Sequence, residues 1–548
     1  LYAQTGRLVI LEKNNLIVND IIKPRSFRSD NGTLKPISFL GIVLLYGKIA
    51  SLTTIKIIPY LTPLFAAIGL FYFYALVKRL FEKNNALISV LLLSFFPIYT
   101  YYSARSMFHN ILFIVLLLVG IYYLVSMNDK KMEIKKGEEI WHFCTQANWQ
   151  SIIYSALAGL AIGLAISVRS SELLWVAPML VVLYLFNIRK IGVIKIIIFL
   201  VFFVLALLPT FYYNQLLFGS FYLGGYAKMN NSIINIKDAC SNVIQFNFSQ
   251  DLFHKFADNI MVFGLHPRQS LLMFKYYFIE MFSWLFWPAM LGALIFCLDW
   301  RQYKYRFWVY SICLALTAAI LILYYGSWIF YDNPNRANHT IGNSYTRYWL
   351  PIYLGIIPFA SWLLLRIIKI INKLIKKITS SREEVKKFIS WHFSSKLISA
   401  SICLVALTIV FYWSINFVLT GSEEGLIYLA RNQQDAKAEW QKVLQLTENN
   451  SVIITTYHDK LFFPERKVII GQFNDQNLNM EYAKLANILP VYYYNFNLQP
   501  QDLEYLNNSP LANVNLQIKE IKRMTDKFTL YQLYLIKDEI KNKEKQKI

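Results

Sequence analysis

The sequence predicts a multi-pass α-helical membrane protein with a C-terminal α/β domain outside the membrane. Three observations predict it. Mean hydropathy is +0.37 and only 16% of the 548 residues are charged, against about 25% in soluble domains. Apolar stretches recur down to about residue 420, each near the roughly 20 residues that cross a hydrocarbon core. Beyond that point the composition changes to short β-rich runs between helical patterns.

The spans are expected at 57–77, 86–103, 107–127, 150–168, 173–188, 193–212, 279–298, 307–326, 348–367 and 397–419. A weaker stretch at 37–52 is too short to cross and reads as an interfacial helix, which brings the visible apolar elements to about eleven. The chain starts at Leu1 inside a polar stretch. A further transmembrane helix is expected upstream, for about twelve in all.

Short loops rich in Lys and Arg belong on the cytoplasmic side. Lys78, Arg79 and Lys83 form one such cluster, and Lys130, Lys131, Lys135 and Lys136 a second. Arg189, Lys190 and Lys195 follow, then Arg301, Lys304 and Arg306, then the basic segment 366–396. These clusters occupy every second loop. Segments 1–56, 104–106, 169–172, 213–278, 327–347 and everything after about 420 then share the opposite, extracytoplasmic side of a plasma (inner) membrane. The expected domains are a first outer loop with a juxtamembrane helix (1–56), a transmembrane domain (57–420) and an extracytoplasmic α/β domain with a charged tail (421–548). The net charge of +22 does not point to nucleic acid, because the basic residues bracket apolar spans. The five cysteines contain no CxxC and no zinc-site spacing.

In the C-terminal part, SVIITTY (451–457), VYYYNF (491–496) and FTLYQLYLI (528–536) read as strands. Helical patterns at 423–448, 478–488 and 500–507 flank and separate them.

Ionisable residues gather where helices meet the outer interface. Arg105 and His109 lie at one turn, Arg169 and Glu172 at the next, and Arg347 opens a later span. Charge at membrane depth is costly and marks function where it is kept. Three guanidinium groups suit the phosphate of a lipid, whose tail stays in hydrocarbon. The plainer reading of each arginine is a helix anchor that snorkels to the headgroups.

Five segments carry a resemblance. They are LKPISF (34–39), FFPIYTYYSARSMFHN (95–110), GLAIGLAISVRSSE (159–172), YNQLLFGSFYLGGY (213–226) and SYTRYWLP (344–351). In that order they resemble the "KP" approach to a juxtamembrane helix, a "P…SR…E" outer turn, a "GLxxGLAxxxR" helix, "YNxxxFGxPxxxGY" and a late "RYxLP" helix start. These belong to the GT-C superfamily of integral membrane glycosyltransferases, in its protein O-mannosyltransferase and lipid A aminoarabinose transferase branch. The resemblance implies a polyprenyl-phosphate-linked sugar donor and an acceptor on the outer face, whether protein, glycolipid or polysaccharide. It also implies an Asp-Glu pair upstream of Leu1 and places His109 where the family has its next acidic residue. A divalent metal ion is an open cofactor candidate, since no metal-ligand spacing stands out.

Such a transfer needs the leaving phosphate stabilised and the acceptor hydroxyl deprotonated. Lys35, Arg105, Arg169 and Arg347 are candidates for the phosphate. Asp30, His109 and Glu172 are the candidate acid–base groups, with Glu12 and Asp20 also in the outer loop. As a plain turn residue in SDNG, Asp30 has an ordinary alternative role. His266 and Arg268 in GLHPR, with Tyr226, Tyr345 and Tyr348, are candidate substrate contacts; the tyrosines also suit an aromatic belt. A lipid or solute transporter or flippase is the alternative class. It would place ionisable groups near the midplane and show internal repeats, whereas here they sit at one interface.

Overall fold

The structure is a computed structural model. It describes residues 1–127, 148–222, 224–225, 263–298, 300–330, 332, 338–380, 395–421 and 424–536. The basic loop around Lys130–Lys136, Tyr226, most of the long loop before residue 263 and the charged tail from Lys537 lie outside the described residues. The chain divides into two compact units: Leu1–Ser38 with Asn214–Lys228 and Leu429–Ile548, and Phe39–Tyr213 with Met229–Tyr428.

The larger unit is helical. Among the described residues eight helices are long and apolar enough to cross a membrane: Ile55–Leu80, His109–Ser126, Trp149–Val168, Ser170–Asn187, Ile191–Phe218, Trp308–Gly326, Leu350–Leu374 and Ser401–Thr420. Two bent pairs bring the total to as many as ten. The expected 86–103 span is Lys83–Phe95 and Pro97–Ala104, bent by 54°. Pro97 lacks an N–H and forces Phe96 into an extended backbone, so it starts a new helix rather than continuing the old one. The expected 279–298 span is mainly the second arm of Pro267–Glu280 and Ser283–Leu298, bent by 97° at the break that follows a π-helical turn, Lys275–Glu280. Gly192, at φ +67°, separates the fifth and sixth expected spans. The short stretch before the first span is a 12-residue helix, Gly41–Leu52.

The GLAIGLA run has a packing reason. Gly159 and Gly163 lie one turn apart on Trp149–Val168 and face Ile191–Phe218. A Cβ on them would come within 2.3 Å of the Phe199 carbonyl and 2.5 Å of the Phe203 carbonyl. Small residues four apart let two apolar helices touch backbone to backbone where hydrophobicity cannot drive association. Arg169, which follows the first of these helices, is thereby held in place against the second.

The smaller unit is built on a five-stranded sheet in the order β5-β4-β6-β8-β7. Its strands are β4 Val452–Thr455, β5 Lys467–Ile470, β6 Val491–Phe496, β7 Leu516–Arg523 and β8 Phe528–Leu535. β5, β4 and β6 are parallel, and β8 and β7 close the sheet antiparallel. The period-2 alternation fills two cores. Ile454, Tyr493 and Tyr531 pack with Tyr482 and Leu485 of Gln476–Ala486 on one face. Ile453, Tyr494 and Leu530 pack with Phe462 and Val443 on the other.

Two of these strands were not expected from the sequence. β5 has only four residues, and β7 reads LQIKEIKR, an edge strand whose charged side chains keep it from pairing with another chain. The first segment adds a small sheet, β1 (Ile10–Leu11), β3 (Thr33–Pro36) and β2 (Phe27–Asp30). Its Val18 and Ile22 are buried in the core of the C-terminal sheet. Glu12 pairs with Lys467 at 3.0 Å, and Asn19 donates to Glu481 at 2.8 Å. Residues 1–38 therefore fold with the C-terminal domain, and 39–56 with the helices, so the units do not follow the sequence boundaries at 56 and 420.

Candidate active site

Three of the four cations singled out in the sequence meet in the helical unit. Arg105 follows Pro97–Ala104, and its guanidinium carbon lies 5.1 Å from the Tyr101 ring and 4.7 Å from Phe108. Arg347 lies on the short helix Ser344–Tyr348, 5.8 Å from the same Phe108 ring and 5.2 Å from Tyr348. Arg169 is 4.8 Å from Tyr348 and 5.8 Å from Phe39. The rings of Phe108 and Tyr348 thus link the three guanidinium groups. Attraction between cation and ring offsets part of the repulsion among like charges.

The backbone is arranged to achieve this. Met107 adopts φ +63°, a left-handed conformation that costs a non-glycine residue energy and recurs at functional sites. Its N–H donates to Thr62 Oγ1 at 3.1 Å. The turn delivers Phe108 to the arginines and starts the helix His109–Ser126. That helix has no side-chain cap, so its first N–H groups add positive potential at the same place. The Tyr102 hydroxyl sits 3.0 Å from the Gly342 carbonyl and 3.2 Å from Thr346 Oγ1, tying Ser344–Tyr348 to the Arg105 turn. Asn110 Nδ2 donates to the Arg347 carbonyl at 3.2 Å.

Arg169 and Glu172 differ from the rest. They form an ion pair at 2.7 Å with side chains 8% and 3% exposed. Glu172 also accepts from Tyr325 at 2.7 Å and from the Trp175 indole at 2.5 Å. Arg169 also donates to Tyr325 at 3.0 Å and reaches Asn110 at 3.4 Å. The Glu172 carboxylate is saturated by three donors, and nearly every guanidinium direction is taken. The expected acid–base role of Glu172 therefore meets a carboxylate with no oxygen turned outward. Tyr325 stacks on Tyr348 at 4.3 Å, which couples this corner to Arg347.

His109 packs edge-on against Phe39, with centroids 6.3 Å apart, and its Nε2 is buried without a hydrogen-bond partner among the described residues. Asp332 lies 3.9 Å from Arg347 and accepts the Ser344 N–H at 2.7 Å. Among the described residues no group of three or more His, Cys, Asp or Glu is placed to hold a metal ion.

Asp30 and Lys35 belong to the smaller unit. They pair at 3.2 Å on the β2–β3 hairpin, and Asp30 also pairs with Arg28 at 2.7 Å. Partial burial pushes the Asp30 carboxyl up, but the hydrogen bonds from Arg28 and Lys35 outweigh it and hold it below the ordinary carboxylate value.

A cavity of about 630 Å³ brings together His266, Arg268 and Tyr345. Tyr277, Asn343 and His339 also line it, and sequence reasoning missed all three. A second cavity, about 250 Å³ and mainly apolar, is lined by Trp175, Met179, Ile114, Leu117 and Leu354. Trp175 joins the two chemistries: its indole N–H holds Glu172 while its ring walls the apolar space. Trp175 was within reach of sequence reasoning, since three residues from Glu172 puts it on the same helical face. Nothing in the sequence signals Tyr325, which lies 153 positions from Glu172.

Residues 45–136 match the family model of dolichyl-phosphate-mannose-protein mannosyltransferases. Comparison with curated proteins gives no match. The oligosaccharyltransferase AglB of Archaeoglobus fulgidus, solved with an inhibitory peptide and a dolichol-phosphate, is 14% identical, with a TM-score of 0.47. The match covers 88% of this chain and 64% of AglB, so the chain spans less than two thirds of that protein's length. ArnT from Cupriavidus metallidurans in the apo state is 12% identical over 95% of this chain and 91% of its own, with a TM-score of 0.48. ArnT bound to undecaprenyl phosphate is 10% identical over 95% and 92%, also at 0.48. The family match is confined to a stretch that includes the Arg105 turn and the helix His109–Ser126, and the apolar helices make the chain a multi-pass membrane-type protein.

Proposed function

We propose that the protein transfers a sugar from a polyprenyl-phosphate-linked donor to an acceptor on the extracytoplasmic face of the membrane. The observation that carries this reading is the convergence of Arg105 and Arg347 on Phe108, beside the uncapped start of His109–Ser126. Two partly exposed guanidinium groups and a helix N-terminus make a site for a dianionic or monoanionic phosphate. As the glycosidic bond breaks, charge grows on the leaving phosphate, and fixed cations stabilise it without reorganising. The apolar cavity under Trp175 is suited to the donor's hydrocarbon tail.

In this reading Arg105 and Arg347 touch the phosphate. Arg169 acts through Tyr348, with Glu172 holding it in place. His109 offers an unpartnered imidazole nitrogen for the acceptor proton. The cavity at His266, Arg268 and Tyr345 receives sugar or acceptor, while Lys35 and Asp30 serve the outer loop.

Transfer of radiolabelled sugar from a polyprenyl-phosphate donor, with Arg105→Ala and Arg347→Ala compared with wild type, tests the reading. A large loss in both supports it, and normal turnover in both ends it. Cysteine-labelling topology tests the side of the membrane: the exposed Met107 and His339, replaced by Cys, must label from outside.

A further inference from the structure

The five-stranded sheet has a feature that sugar transfer does not use. β4 and β6 are parallel neighbours, but the chain leaves them in opposite directions. From β4 it passes to β5 on one side. From β6 it passes through the helix Pro500–Asn508 to β7 on the far edge. Diverging connections open a crevice at the carboxyl ends of the two strands, the place where open α/β sheets bind ligands.

The residues at this crevice suit one kind of ligand. Tyr457, just after β4, and Phe496, ending β6, are 57% and 50% exposed. Their ring centroids are 5.6 Å apart, and Phe496 stacks on Phe528 at 4.7 Å. Beside them Asn495 Nδ2 donates to Thr456 Oγ1 at 2.9 Å and to Tyr493 at 2.5 Å, bridging the two strand ends. The exposed Gln472, after β5, reaches Thr456 Oγ1 at 3.4 Å. The turn is fixed by Arg25, whose guanidinium donates to the Thr456 carbonyl and whose N–H donates to Asp459 Oδ2 at 2.9 Å.

Phosphate is disfavoured here. The turn TYHD (456–459) has no glycine to let a phosphate approach the backbone, and it carries the buried carboxylate of Asp459. What remains is an aromatic platform, its turn fixed by buried Asn495, beside the exposed Gln472 amide and the Thr456 hydroxyl. A pyranose ring presents C–H groups on its face and hydroxyls on its edge, and this surface matches both.

We propose that the crevice at the ends of β4 and β6 binds a neutral saccharide. Binding here does not depend on the arginine cluster, which lies in the other unit.

The test uses the full chain in lipid nanodiscs, titrated calorimetrically with mannotetraose, maltotetraose, cellotetraose and chitotetraose. Saturable binding of at least one is expected. Tyr457→Ala and Phe496→Ala should each weaken it about tenfold, while Tyr457→Phe and Arg347→Ala leave it unchanged. Thermal unfolding of the alanine variants should match wild type, because both rings are half exposed. No saturable binding, or binding unaffected by both alanine variants, overturns the proposal. Loss of binding in Arg347→Ala also overturns it, by moving the sugar to the transfer site. Tighter, salt-sensitive binding of trigalacturonate overturns the neutral class.

Discussion

Arg169 and Arg347 both lean on the ring of Tyr348, yet their electrostatic surroundings are opposite. Arg169 has a carboxylate at 2.7 Å, shielded from water with it, and three further polar partners around the pair, Tyr325, Trp175 and Asn110. Arg347 has Asp332 at 3.9 Å, with the two side chains 21% and 33% exposed. In the first case two charges removed from water must find each other, and the result is a rigid corner. In the second, water and a loose neighbour leave positive potential for a ligand. In the proposed site the labour is divided: a neutral buried pair keeps the shape and half-open cations supply the charge.

The largest effect is expected at the buried corner. Glu172→Ala leaves the Arg169 charge unpaired and should destabilise the protein by about 3–5 kcal/mol, read by thermal unfolding in detergent. Arg169→Met combined with Glu172→Leu should restore most of that loss; if the double variant is no better than the single, the corner is more than an ion pair. At the open side, Arg347→Ala should lower kcat/KM in the proposed transfer from a lipid-linked donor about 10²-fold, near 3 kcal/mol, with little change in unfolding. An equal loss of stability at both arginines would erase the distinction.

Tyr348 is shared, so Tyr348→Leu should weaken both sides by about 2 kcal/mol, and Tyr348→Phe should retain most function. Tyr325→Phe removes one donor from Glu172 and should cost about 1 kcal/mol in stability without altering donor use directly.

The smallest effect lies in the other unit and serves as a contrast. Partial burial pushes the Asp20 carboxyl up, but hydrogen bonds from Ser29 and the N–H groups of Gly32 and Asn31 outweigh it and hold it below its ordinary value. The folded form therefore favours the carboxylate. That stabilisation is complete above the unfolded carboxylate range, near pH 4, and is lost as the pH falls through the lower folded value. Asp20→Asn should flatten the acid limb of the unfolding curve and leave the neutral-pH transfer rate unchanged.

Several of these features could be read in advance. The spans were legible because a bilayer imposes length and apolarity on consecutive residues, so a local window suffices. The turns carrying Arg105, Arg169 and Arg347 were legible because charge at a span end stands out. The bend at Pro97 was signalled by a residue type but merged into one span, since hydropathy does not register direction. Val18, Ile21 and Ile22 gave no strand or span signal, because an irregular segment contributes to a core through a few side chains only. β7 was missed since an edge strand can be charged throughout its exposed face.

Amino-acid order therefore set the apolar crossings, the charged turns between them and the strand-forming runs of the C-terminal domain. Which arginines stay available was settled by folding. Arg169 and Glu172 are three residues apart, but their saturation needs Tyr325 and Asn110 from distant helices. Availability of a charge depends on every polar group within a few ångströms, and such neighbours come from anywhere in the chain.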